Sequence, residues 1–209
     1  MRRALSLILV CLCMAVAVSC AKKAPPPEPT AQEYFDSGMR YFNQENYTMA
    51  LSEFEMAVNK SPSFVEARYY VGLTAWKLNM LDKAKRAFID TLNLNPNHIK
   101  ARESLGILCY ATGDFPEAKR QLEAAKNLNS INPEVYFCLG RIYVMEGRCP
   151  EALEVFKKGM QVDSTYLPLK NEYDAALRSC GKGSGTKAPP VIYEKKFRGG
   201  GKAIDPSDF

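Results

Sequence analysis

Gly38, Gly72, Gly106 and Gly140 stand 34 residues apart each time, and this spacing constrains the chain more than any other feature. The same interval relates Ala50, Ala84, Ala118 and Ala152, and again Phe54, Phe88, Leu122 and Phe156. Ala57, Thr91, Ala125 and Gly159 keep it as well. Nothing is inserted or lost, so the units are 31–64, 65–98, 99–132 and 133–166. A glycine inside a helix costs ~1 kcal/mol relative to alanine. A chain that keeps one at the eighth place of every unit needs a small residue there, where two helix backbones approach. The alanine at place 20 is expected to meet that gap from a second helix. The large apolar residue at place 24 is expected to fill the space beside it, and packing of the pair offsets the lost propensity.

Turn chemistry agrees with two helices per unit. Asn46 and Asp114 are placed to cap second helices. Pro116 and Pro150 fall in first turns, where a missing N–H is harmless. Pro62 and Pro96 follow second helices and stop them. One such unit cannot bury its apolar face alone, so the units must stack and the last needs a cover. The stretch LPLKNEYDAALRSC, 167–180, fits that cover, with Leu169, Tyr173, Ala176 and Leu177 on one helical stripe.

A period of this length, kept at several small and aromatic places in four copies, resembles the tetratricopeptide repeat (TPR). The resemblance implies an all-α fold: a right-handed superhelix, or solenoid, of four helix-turn-helix repeats plus a C-terminal capping helix. In that family the first helices line a concave groove that binds proteins. Carried over place by place, the groove would present Phe35, Met39, Phe42 and Asn43 from the first unit. The second would give Tyr69, Tyr70, Leu73, Trp76 and Lys77, and the third Lys100, Glu103, Ile107 and Tyr110. The fourth would give Phe137, Arg141, Val144 and Met145. Some family members clamp a peptide carboxylate with Lys and Asn here. The matching places hold Phe35, Met39, Tyr70, Lys100 and Ser104, so only Lys100 agrees and a terminal carboxylate is not the expected ligand. Aromatic side chains, among them the sole tryptophan Trp76, are the expected anchors for a partner.

The N-terminal residues read as a signal peptide, 1–19: Arg2 and Arg3, an apolar run over 5–18, then AVSC. AVSC resembles a bacterial lipobox, which implies cleavage before Cys20 and lipidation of its thiol. Ala21 resembles the residue found in lipoproteins released to the outer membrane, so the expected place is the periplasm-facing side of that membrane. Residues 20–30 then form the lipidated cysteine and a proline-rich tether, extended at ~3 Å per residue. At the other end GKGSG opens a tail, 181–209, expected to be flexible; within it PPVIYEKKF, 189–197, has the composition of a strand that adds to a partner.

Chemistry-bearing constellations are sparse. His98 is the single histidine and is read as an exposed turn residue. No CxxC, HExxH or phosphate-binding loop occurs, and the cysteines lack zinc spacing. The formal charge of +5, or +3 once Arg2 and Arg3 leave with the signal peptide, is too mild and scattered for nucleic acid. No enzyme activity, cofactor, metal or small-molecule substrate is expected. Of the cysteines beyond Cys20, Cys109 reads as a buried small hydrophobe. Cys149 opens a helix that runs antiparallel to the one Cys180 ends, so these two are expected to pair in an oxidising compartment; the alternative is two free, buried thiols.

The expected function is a lipid-anchored TPR scaffold that binds partner proteins in the bacterial envelope. The chain looks similar to the pilotin-like TPR lipoproteins of type IV pili, which assist assembly of an outer-membrane secretin. It also looks like envelope adaptors that dock cell-wall enzymes.

Overall fold

The computed structural model describes residues 28–180. The expected signal peptide, Cys20, all but the last three residues of the expected tether, and the residues from 181 lie outside the described residues. The described part is helical, with no strand. Its helices are α1 (Ala31–Asn43), α2 (Tyr47–Lys60), α3 (Val65–Lys77), α4 (Leu81–Leu94), α5 (Ile99–Ala111), α6 (Phe115–Asn127), α7 (Pro133–Met145), α8 (Cys149–Val162) and α9 (Leu167–Cys180). Each 34-residue unit thus holds one hairpin. None of these helices is long and apolar enough to cross a membrane.

Local chemistry sets the boundaries. The array begins with a capping box, in which Thr30 accepts from the Glu33 N–H and the Glu33 carboxylate accepts from the Thr30 N–H. Asn46 and Asp114 accept from the backbone at Met49 and Glu117. The hairpin turn makes one demand in every unit: place 15 has a positive φ, at Glu45 (57°), Asn79 (58°), Gly113 (84°) and Gly147 (74°). Glycine meets that demand without strain, and Glu45 meets it least well.

The recurring glycines are explained by what lies over them. A Cβ on Gly38 would come within 2.6 Å of the Phe54 ring, on Gly72 within 2.5 Å of Phe88, on Gly106 within 2.7 Å of Leu122, and on Gly140 within 2.3 Å of Phe156. The side chain at place 24 therefore sits on the glycine itself. The alanine at place 20 is fully buried but is not what fills the gap, which corrects the division of labour expected from sequence. The reason is size: only a ring or a leucine reaches across the hairpin onto the opposite backbone. Gly140→Ala should accordingly destabilise by about 2 kcal/mol, because overpacking a rigid, buried ring outweighs the ~1 kcal/mol gain in helix propensity. Urea denaturation measures it, and a stabilised variant would contradict the packing argument.

The core falls into two parts. A small cluster holds Ala50, Leu51, Phe54, Val71 and Ala87, with Phe35, Met39 and Phe42 packed on it. The larger one runs from Tyr69 through the remaining hairpins to Leu169 and Ala176 of α9. Gly38 is the sole buried residue of α1, so the first hairpin is the more lightly held end.

The last helix is in register with the repeat: Leu167 is one period beyond Pro133, so α9 occupies the place of the first helix of a fifth unit. It packs on both α8 and α7. Cys180 at its end is disulfide-bonded to Cys149 at the start of α8, with Cα atoms 5.8 Å apart. Cys109 and Cys138 are free and buried. Burial pushes the Cys109 thiol up to about 11 and the Cys138 thiol well above its ordinary value. At neutral pH neither is a thiolate able to exchange with the disulfide.

Candidate protein-binding groove

Along the first helices the spacing is uneven. α5 packs directly on α7, and α7 on α9, whereas α1, α3 and α5 approach one another more loosely. Bulky residues on α3, including Tyr69, Tyr70 and Trp76, stand at that looser stretch. The result is a concave groove of ≈ 1030 Å³.

Of the residues carried over from the family pattern, the groove brings together Phe42, Asn43, Tyr69, Tyr70, Leu73, Trp76, Lys77, Lys100, Glu103 and Ile107. These differ in how much they offer. Trp76 is 4% exposed, stacked edge-on to Phe88 with ring centroids 6.3 Å apart, and Ile107 is buried. They form the floor. Tyr70, Leu73 and Phe42 are half-buried, and Lys100 is exposed. These four form the accessible wall. Tyr69 shares a hydrogen bond with Ser104, and burial pushes its phenol pKa up, so it is a neutral hydroxyl throughout the physiological range.

The other expected groove residues lie elsewhere. Phe35 and Met39 are taken up by the N-terminal core, where the Phe35 ring lies 5.6 Å from Phe54 and 5.0 Å from Phe64. Tyr110 is buried against Phe115. In the fourth unit the concave face is not open, because α9 lies beside it. Phe137 is buried with Tyr166 edge-on at 6.3 Å. Arg141 donates to Glu172 of α9 at 2.8 Å and lies over the Phe137 ring. Val144 packs against the main core. In the fourth unit the cause is the cap: a helix that caps the stack also covers the inner face of the repeat it caps.

His98 needs a correction too. It is 8% exposed, not a free turn residue. Its Nδ1 accepts from the Ala101 N–H at 3.1 Å, which caps α5, and its Nε2 lies 3.2 Å from Glu66. The ring also packs on Tyr69, centroid to centroid 4.9 Å. A lone imidazole here is an N-cap that doubles as filler beneath the groove wall. Among the described residues no group of three His, Cys, Asp or Glu is placed to hold a metal ion.

Family positions alone did not supply the far rim. It is made by the α6–α7 loop, with Asn129, Ser130, Ile131 and Asn132, and by Asp163 and Tyr166 beyond α8. Ile131 is 83% exposed on that rim, an apolar side chain held in solvent. Ser130 donates to the Glu103 carboxylate, and Tyr136 donates to the Ser130 carbonyl at 2.7 Å, which fixes the loop against α5 and α7. Burial raises the Glu103 pKa, while the hydrogen bonds from Ser130 and Asn132 oppose that shift. A signal was present in the period, since Asn129 and Asp163 share place 31.

With the groove described, comparison with known proteins gives its class. The sequence model of the tetratricopeptide repeat family matches residues 72–126 and 104–160. Residues 72–160 thus match the tetratricopeptide repeat, and the described fold is a TPR-like solenoid. Among solved structures it is similar to "Crystal structure of MamA protein", with a TM-score of 0.66 and 19% identity over 72% of this chain and 82% of that one. It is also similar to "Crystal structure of YrrB: a TPR protein with an unusual peptide-binding site", with a TM-score of 0.60 and 22% identity over 69% of this chain and 74% of that one. No curated protein sequence matches the chain.

Proposed function

We infer that the chain is a lipid-anchored scaffold of a bacterial envelope that holds a protein partner in its concave groove. The observation that carries this reading is the groove itself: ≈ 1030 Å³, walled by aromatic side chains and rimmed by the exposed Ile131. Aromatic anchors in a concavity with apolar rim contacts are the usual makings of a protein interface. The unusual peptide-binding site of the similar YrrB structure is in keeping with it. The anchoring half of the reading rests on AVSC after an apolar run, with Cys20 as the lipidated residue and the outer membrane as the place. The finer role suggested by the pilotin-like resemblance is help to a secretin in assembling. Docking of a cell-wall enzyme is its rival.

Two measurements test the halves separately. Tyr70→Ala should weaken capture of the envelope partner by about 30-fold, the effect of losing one aromatic hot spot. The helical circular dichroism signal should persist. Undiminished capture would place the partner elsewhere on the surface. Cys20→Ala should move the chain from the membrane to the soluble fraction. A mature protein whose mass shows an unmodified Cys20 thiol would remove the anchor from the reading.

A further inference from the structure

We propose that, when no partner is bound, the groove is occupied by the chain's own segment 190–197, PVIYEKKF. The inference rests on reading the groove as a peptide site, and three observations carry it. The first is charge. The ionisable groups lining the groove are Glu45, Glu103, Glu134 and Asp163 against Lys77 and Lys100, an excess of two carboxylates. The segment and the residue after it carry Lys195, Lys196 and Arg198 against Glu194, an excess of two cations. The second is apolar content. Val191, Ile192, Tyr193 and Phe197 supply the side chains that an aromatic wall and an exposed Ile131 can bury. The third is reach. α9 ends at Cys180, and the disulfide to Cys149 pins that end to the last hairpin. The groove meets the start of α9 at Tyr166, a 14-residue helix or ~20 Å along the axis from Cys180, and α5 lies two helix spacings, ~20 Å, to the side, so the diagonal is ~28 Å. The nine residues 181–189 span up to ~30 Å when extended, so segment 190–197 arrives at the groove without displacing α9.

A tethered segment competes with every other ligand of the groove. At an effective concentration of ~1 mM and an intrinsic dissociation constant of ~0.1 mM, the occupied form outnumbers the open one ~10 to 1. A partner must pass that filter, so weak and non-specific peptides are excluded first.

The test uses the full chain and a synthetic peptide of residues 189–199 bearing a fluorophore. The peptide should bind a Tyr193→Ala, Phe197→Ala chain about tenfold more tightly than it binds the unaltered chain. Adding Tyr70→Ala to the altered chain should abolish that binding. Equal affinity for the two chains, or no binding to either, overturns the proposal. Either result leaves the partner-capture experiment with Tyr70→Ala as the independent judge of the groove. Light scattering of the unaltered chain should show no concentration-dependent association. An oligomer that the peptide dissolves would also overturn the proposal, because the occupant would then be the tail of a second copy.

Discussion

Trp76→Ala should destabilise the protein by roughly 3–5 kcal/mol, the usual loss for truncating a buried tryptophan. The ring is 4% exposed and packs on Phe88, whose own ring covers Gly72, so the mutation opens a cavity at the centre of the second hairpin. Because that hairpin joins the small N-terminal core to the larger one, the loss should appear as a lowered urea midpoint for the whole domain. The family pattern alone puts this side chain in the groove as an anchor. If the variant kept its stability and lost only partner binding, Trp76 would be an anchor after all and the buried placement would be wrong.

Loss of the Cys149–Cys180 bond is the second large effect. The bond closes a loop of 31 residues, which corresponds to about 3–4 kcal/mol in the chain-entropy model. Cys180→Ser, or full reduction, should lower stability by that amount and release α9 before the rest of the array. Hydrogen exchange should then show α9 and the inner face of α7 losing protection while α3 to α6 keep theirs. Unchanged exchange in α9 after reduction would mean that its packing alone holds it.

The period made most of the architecture legible. A strict 34-residue interval with glycine at place 8 and a large apolar residue at place 24 specifies a helical hairpin, and its repetition specifies a stack. Caps at Asn46 and Asp114 were readable from local chemistry for the same reason, since they depend on neighbours in sequence. What sequence did not reveal was which members of a helical face remain open. Places 2, 5, 6, 9, 12 and 13 are expected to point inward in every unit, yet Phe137 meets Tyr166 and Arg141 meets α9, while half-buried Tyr70 and Leu73 line the open groove. That difference is decided by which helix packs alongside, not by residue type. His98 shows the same limit: a lone polar residue at a junction reads as exposed, and only the assembled turn shows its imidazole capping α5.

A stack of identical hairpins has no inherent last member, because the outer face of each unit is shaped to receive the next. Two copies of such a chain can therefore join end to end, and a contact of that kind does not close on itself but propagates into a filament. In this chain the receiving face of the fourth unit is already filled by half a unit, α9, and covalently locked by Cys180. The bond thus sets the length of the array as well as its stability. A chain whose α9 left its place on reduction would offer the face of its fourth unit to the first unit of the next copy, and the polymers so formed would all be polar.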